Sequence, residues 1–147
     1  MANIDGLGNY LVSPQSIQSA SANTSVARTS LNPTVTTGAV RLIAKATNPA
    51  GALVRKVSLK PADTCTQTAH YLFRSPDEGT TLYFIADAVT PAWTKSNTTV
   101  SPNTDFGFTV SSPLYLEAND ELWCGSAVAL GAGFIWDAVY EAYSVKP

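Results

Sequence analysis

The run Phe134-Ile-Trp-Asp-Ala-Val-Tyr-Glu-Ala-Tyr-Ser-Val145 decides the fold class. Phe134, Trp136, Ala138, Tyr140 and Ala142 fall on one side of a two-residue alternation, and Ile135, Val139, Tyr143 and Val145 on the other. A period of two is the signature of a β-strand, and twelve residues make this a long one. Both of its faces are apolar, so it needs cover on both sides. Asp137 and Glu141 interrupt the second face, where they read as a safeguard against edge aggregation or as a polar contact between subunits.

Working back from this strand, short alternating runs recur, broken by turn formers every eight to twelve positions. Leu122, Cys124, Ser126 and Val128 precede it, entered through the Glu117–Asp120 turn, and Leu114 and Leu116 come before that turn. Phe106, Phe108 and Val110 alternate with Asp105, Gly107 and Thr109, while residues 94 to 104 are polar and turn-rich. In residues 80 to 87 both faces are apolar, which predicts a central strand or one that faces another subunit. Its hairpin partner sets Ala69, Tyr71 and Phe73 on one face and His70, Leu72 and Arg74 on the other, the latter expected to be wet. Leu53, Val57 and Leu59 oppose Lys56, Ser58 and Lys60, and Val40, Leu42, Ala44 and Ala46 oppose Arg41 and Lys45. About eight strands and no helical periodicity predict an all-β protein: an antiparallel two-sheet β-sandwich, with a jelly roll as the candidate topology.

Residues 1–37 read differently. They carry two charged residues, Asp5 and Arg28, and a small polar stretch from Ser13 to Ser25 without periodicity. The expected organisation is therefore an extended N-terminal arm over 1–37 and a β-sandwich domain over 38–147. Near the start of the arm, Ile4, Leu7, Tyr10, Leu11 and Val12 form an apolar cluster that the arm cannot bury by itself; they are candidates for binding a neighbouring subunit, the alternative being a frayed terminus that packs loosely on its own domain.

The totals exclude several function classes. The chain has 147 residues, enough for one domain that buries roughly two thirds of its unfolded surface without a staple. A net charge of −2 gives no electrostatic footprint for nucleic acid or an anionic membrane. No run is apolar and long enough to span a bilayer, and the first thirty residues lack the pattern of a secretory signal, so the product is expected to stay where it is made. Charged residues amount to 14% against about a quarter in an average domain, a surface suited to lying against other proteins. Cys65 and Cys124 have no metal-ligand spacing and read as free thiols, their pairing left open.

Nothing reaches the specificity of a catalytic motif. His70 is the one candidate base, on the strand face expected to be wet, and Ser126 lacks the setting of a nucleophile elbow. Asp77 with Glu78, and Glu117 with Asp120 and Glu121, read as solvated turn acids, and neither Glu117–Glu121 as a calcium loop nor Gly6-Leu-Gly8 as a dinucleotide fingerprint has the required spacing. Of three tryptophans, Trp123 and Trp136 lie in strands, and loop-borne Trp93 is the candidate for stacking a ligand such as a sugar. No cofactor, metal or catalytic residue is assigned, and Ile135, Val139 and Tyr143 are the candidate subunit interface.

A series of short motifs carries a resemblance: Arg41-Leu-Ile-Ala-Lys-Ala-Thr47, Val54-Arg-Lys-Val-Ser-Leu-Lys60, Thr68-Ala-His-Tyr-Leu-Phe-Arg74, Thr81-Leu-Tyr-Phe-Ile-Ala86, Pro113-Leu-Tyr-Leu-Glu-Ala-Asn-Asp-Glu-Leu122 and Gly133-Phe-Ile-Trp-Asp-Ala-Val139. In order and spacing, over about seventy per cent of the chain, this resembles small β-sandwich virion structural proteins of tailed bacteriophages. The resemblance implies a non-enzymatic protein of the virion, made in the host cytoplasm. The expectation is a capsid decoration or cement protein: a homo-oligomer, taken as a trimer, that binds other virion proteins, the major capsid protein first, through its arm. The alternative is a tail, neck or baseplate component, or a host-carbohydrate-binding module of the virion.

Overall fold

The computed structural model describes the backbone from residue 11 to 145 and the side chains from 17 to 143. Nine strands make two antiparallel sheets: β1 (Leu11–Thr24), β2 (Val40–Ile43), β3 (Ala52–Pro61), β4 (Thr68–Ser75), β5 (Tyr83–Thr90), β6 (Thr104–Asp105), β7 (Leu114–Leu116), β8 (Glu121–Ser126) and β9 (Phe134–Val145). Sheet A runs β1-β9-β3-β6, with β7 also on β3, and sheet B runs β2-β8-β4-β5. β6 and β7 pair with different parts of β3 and act as one interrupted strand. Counted so, the first strand lies beside the last, the second beside the next to last, the third beside the sixth and the fourth beside the fifth. That nesting is jelly-roll order, two Greek keys folded into a sandwich.

The inward residues of β9 form the floor of the core. Phe134, Trp136, Ala138, Tyr140 and Ala142 are all buried, facing Leu72, Leu122 and Cys124 of sheet B. On β3 the alternation slips. Ala52 and Val54 point inward, then Val57 and Leu59, because the register with β9 shifts between Val54 and Lys56 and leaves Arg55 as the extra residue. Leu53, expected on the face of Val57 and Leu59, therefore lies on the other side, half-buried.

Part of the segment read as an N-terminal arm, residues 17–38, lies against the domain. From Ile17 to Thr24, β1 pairs residue by residue with Glu141 to Phe134 and forms an edge of sheet A. Its own side chains are too small and polar to signal a strand. The backbone of the long β9 supplies the pairing, and small residues such as Ala20 and Ala22 fit over the core. Residues 25–38 then cross the outer face of sheet B as a strap. The Arg28 amide donates to the Ser126 carbonyl (2.7 Å) and the Leu82 amide to that of Pro33 (2.9 Å). Gly125 and Gly38 make room: a Cβ on Gly125 would meet Arg28 Cβ at 2.8 Å, and one on Gly38, at φ +80°, would meet the Ala27 carbonyl oxygen at 2.3 Å.

Three other expectations change. β5 is an edge strand of sheet B and not a central one, which leaves Tyr83, Phe84, Ile85 and Val89 exposed. The alternation around Phe106–Val110 does not form a strand, since the ladder with β3 ends at Thr104–Asp105, although Phe106 and Phe108 still pack on the core. The alternating run through Ala44 and Ala46 stops at Ile43 and turns into a single 3-10 turn at Lys45–Thr47. Among the described residues, no helix is long and apolar enough to cross a membrane.

Candidate functional site

The outward side of sheet A carries the residues expected at a subunit interface. β9 is an interior strand, flanked by β1 and β3, so edge protection cannot explain Asp137 and Glu141. Across the sheet, one row of neighbours is Ile17, Glu141, Leu53 and Tyr115, and the next is Ser19, Val139 and Lys56. Ile17 and Tyr115 are each 56% exposed, while Leu53, Val139 and Tyr143 are half-buried. Val139 and Tyr143 thus join one apolar patch with Ile17, Leu53 and Tyr115. Ile135, 44% exposed, stands apart from it, because Asp137 and its neighbours Ser21 and Ser58 form a polar row between. Within the patch the bulged Arg55 pairs with Glu141, whose carboxylate is nearly buried.

The candidate partner-binding residues Ile4, Leu7 and Tyr10 lie outside the described residues, as do the side chains of Leu11 and Val12 in β1. Trp93 is half-buried. Its backbone bridges to Cys65, with both amides donating across (2.9 and 3.0 Å), and its indole packs against the core with its N–H enclosed and without an acceptor among the described residues. Trp123 is sandwiched between Gly79 and the Arg41 guanidinium, and donates its N–H to Glu121 Oε1 (3.0 Å). Cys65 and Cys124 are both free and buried.

His70 overturns its expected place. It is fully buried, and so is Ser126. The face shared by His70 and Leu72 points into the sandwich, and the apolar face of Tyr71 and Phe73 points outward, where the strap covers Phe73 with the Arg28 guanidinium 4.7 Å from its ring centroid. Arg28 is itself fully buried and donates from Nη1 to the Thr37 carbonyl (3.1 Å); burial lowers its pKa from the ordinary value. Inside, a run of polar side chains crosses the core from Trp136 through Thr24, Ser126, His70 and Thr90 to Thr104. Thr24, Thr90 and Thr104 were invisible as functional residues in the sequence, each being one hydroxyl among many. A periodicity that put His70 inside would have exposed them.

Of the acids read as solvated turn acids, Asp77, Glu78 and Glu117 are exposed, as expected, but Asp120 and Glu121 are not. Asp120 is buried against Arg74 (3.1 Å) and the Glu117 amide (3.2 Å). Glu121 is buried and takes the Lys45 amide (2.8 Å), the Trp123 indole and Arg41 Nε (3.2 Å). Arg41, Lys45, Glu78 and Glu121 line an open cleft of about 550 Å³ in which each acid is already paired with a base, Lys45 with Glu78 at 3.4 Å. Asp137 and Glu141 lie four residues apart on one strand, about 13 Å by strand rise, wider than either glycosidase geometry. Among the described residues, no three acidic, histidine or cysteine side chains come together to hold a metal.

No family model matches the chain, and no curated protein does. Among solved structures, Eiger TNF from S. frugiperda aligns over 85% of this chain and 92% of that one, at 14% identity and a TM-score of 0.41. At that distance the likeness assigns nothing to this protein.

Proposed function

We propose that the protein is a non-enzymatic structural component of a tailed-phage virion, a capsid decoration protein that self-associates through the outward side of sheet A. The observation that carries the reading is the patch of Ile17, Leu53, Tyr115, Val139 and Tyr143 on a face that no other part of the described chain covers. Exposed contiguous apolar surface of this kind marks an interface, and a second copy of the same face can cover it around a symmetry axis. The interior supports the non-enzymatic part, since the histidine and serine that could form a reactive pair are sealed away from any substrate. Attachment to the shell is assigned to the apolar residues at 4, 7 and 10, ahead of the part of β1 that belongs to the sandwich.

Sedimentation and capsid binding test this together. The full chain is expected to sediment as an oligomer, and Ile17→Lys with Tyr115→Lys, at two well-exposed positions, is expected to give a folded monomer. Deleting residues 1–10 should leave thermal unfolding unchanged and abolish binding to capsids of its own particle stripped of this protein. A wild-type monomer that fails to bind such capsids would overturn the proposal.

A further inference from the structure

The polar run through the core has a direction. Trp136 Nε1 can only donate, and it gives its hydrogen to Thr24 Oγ1 at 2.9 Å. Thr24 must then place its own hydrogen, and Ser126 Oγ lies 2.7 Å away. Ser126 passes its hydrogen to Nδ1 of His70 (2.8 Å), which leaves the imidazole proton on Nε2, pointing at Thr90 Oγ1 (2.8 Å). Thr90 completes the run to Thr104 Oγ1 (2.5 Å). Every group from Thr24 to Thr90 gives one hydrogen and takes one. Run the other way, Thr24 would receive from both Trp136 and Ser126, and its own hydrogen would have no acceptor among the described residues. A donor at one end therefore fixes the tautomer of the histidine in the middle.

A second proton on His70 defeats this arrangement. With Nδ1 also a donor, Ser126 must accept from it and turn its hydrogen on Thr24, which is the frustrated direction. Among the described residues, the charge would also sit without a counterion. The ring is walled by Phe134 (4.6 Å between centroids) and Trp136 (5.7 Å), and the remaining neighbours are the hydroxyls of Ser126 on β8 and Thr90 on β5. Behind them come Thr24 of β1, Thr104 of β6 and the buried thiol of Cys124, all uncharged. Asp87, Asp105 and Asp137, on these same elements, are exposed. Farther along, Arg74 pairs with Asp120, Glu121 with Arg41 and Glu141 with Arg55.

Ser126 is also where the N-terminal segment is fastened. Its hydroxyl bonds Thr24 at the end of β1, and its carbonyl takes the amide of Arg28 in the strap. β1 is an edge strand whose inward residues include Ala20 and Ala22; besides the β9 ladder it is held by Tyr140 donating to Gln18 Oε1 (3.2 Å), Asn23 Nδ2 donating to the Ala132 carbonyl (3.3 Å), the Leu130 amide donating to the Ser25 carbonyl (3.2 Å) and this joint, the side-chain fastening among them that is buried. We propose that His70 makes the joint an acid-operated latch: a proton on its ring breaks the run of hydrogen bonds and frees the end of β1 and the strap, while the apolar core stays folded.

The sign follows from linkage. Burial holds the His70 pKa down at about 4, against an ordinary 6.5. A conformation that opens the joint to water recovers the ordinary value and takes the proton first. Opening is thus unaffected above pH 6.5, grows as pH falls from 6.5 to 4, and levels off below. Between pH 7.5 and pH 5 the open fraction should rise about thirtyfold.

His70 is the sole histidine, so its ring signals need no assignment by mutation. Nitrogen NMR of the full chain at pH 7.5 should show the proton on Nε2; a proton on Nδ1 would overturn the proposal. Hydrogen exchange of the Arg28 amide, expressed as a protection factor at pH 7.5 and 5, should lose about thirtyfold more in wild type than in His70→Gln. Glutamine keeps one donor and one acceptor but cannot take the proton. Equal losses in the two proteins would overturn the proposal. Should His70→Gln fail to fold, the wild type alone decides: protection at Arg28 must fall steadily as pH drops from 6.5 to 4, ahead of the bulk titration of the ring at about 4, and a ring that titrates while the Arg28 amide stays protected refutes the latch.

Discussion

Two ends of one interior are held together by different forces. Along β2 and β8 the space between the sheets is filled by hydrocarbon and sulfur: Ile43 lies in register with Leu122, Cys124 with Leu72, and all are fully buried. Burial there pushes the Cys124 thiol well above its usual pKa, so the thiol stays protonated in the working range. Two residues from Leu72 on β4, the same layer holds His70, Thr90, Thr104, Ser126 and Thr24 in one hydrogen-bonded run. The dry end is fixed by volume and tolerates any arrangement that fills it. The polar end is fixed by donor and acceptor directions, and it specifies where β1 and β6 must sit. It also carries the acid sensitivity that the dry end lacks.

The largest expected effect breaks the dry end. Leu122→Ala removes a fully buried side chain whose neighbours belong to several strands, and should cost about 3 to 4 kcal/mol, transfer and cavity together. Urea denaturation at pH 7.5 and pH 5 should give the same loss at both, because no proton is linked to that site. A loss that differs by more than about 1 kcal/mol between the two would mean that the ends are coupled through the core and that the contrast is false.

How much of this the sequence disclosed follows the same division. The alternation of β9 and β8 was legible because the inward residues of β9, with Leu122 and Cys124 of β8, are apolar and turns bound both strands. β1 was not, because Gln, Ser and Ala alternate without any hydropathy signal and its pairing is dictated by a partner more than a hundred residues away. On β4 hydropathy chose the wrong face. Tyr71 and Phe73 outweigh His70 and Arg74 in any count of apolar atoms, but the strap buries Phe73 from outside, and the threonine and serine around His70 satisfy it from inside. On β3 a single bulge at Arg55 moved Leu53 to the opposite face, and bulges leave no mark in a two-residue period. The interface residues were half legible: Val139 and Tyr143 share a patch, and Ile135 is cut off by a polar row whose β1 and β3 members could not be placed without the register.

A smaller loss, of a different kind, is expected at the polar end. Ser126→Ala leaves His70 Nδ1 without a donor and the Thr24 hydroxyl without an acceptor, and should cost about 2 kcal/mol at pH 7.5. Unlike the loss at Leu122, this one should shrink at pH 5. The serine stabilises the neutral ring by donating to Nδ1, so without it the folded protein takes up a proton more easily and the pH dependence flattens. Urea denaturation at the two pH values separates the cases. A loss that grows toward acid would show that Ser126 accepts from the ring, which reverses the direction of the whole run.

Thr104→Val is the mildest test and the sharpest about where the polar end stops. Valine keeps the shape of threonine and removes the acceptor to which Thr90 donates, so one buried hydrogen loses its partner. Thr104 keeps 7% of its surface while Thr90 keeps none, which sets it at the rim, where a water can take over the bond. The expected cost is therefore about 1 kcal/mol, the low end for a lost partner. Because β6 is two residues long and pairs with β3 at Ser58 and Leu59, the same change should loosen that short ladder and leave β1 untouched. Hydrogen exchange resolves this: the Phe106 amide, which donates to the Val57 carbonyl (3.0 Å), should lose protection, and the Arg28 amide should keep it. Loss at Arg28 as well would mean that the run transmits strain along its whole length, and that the rim at β6 and the fastening of β1 are one joint.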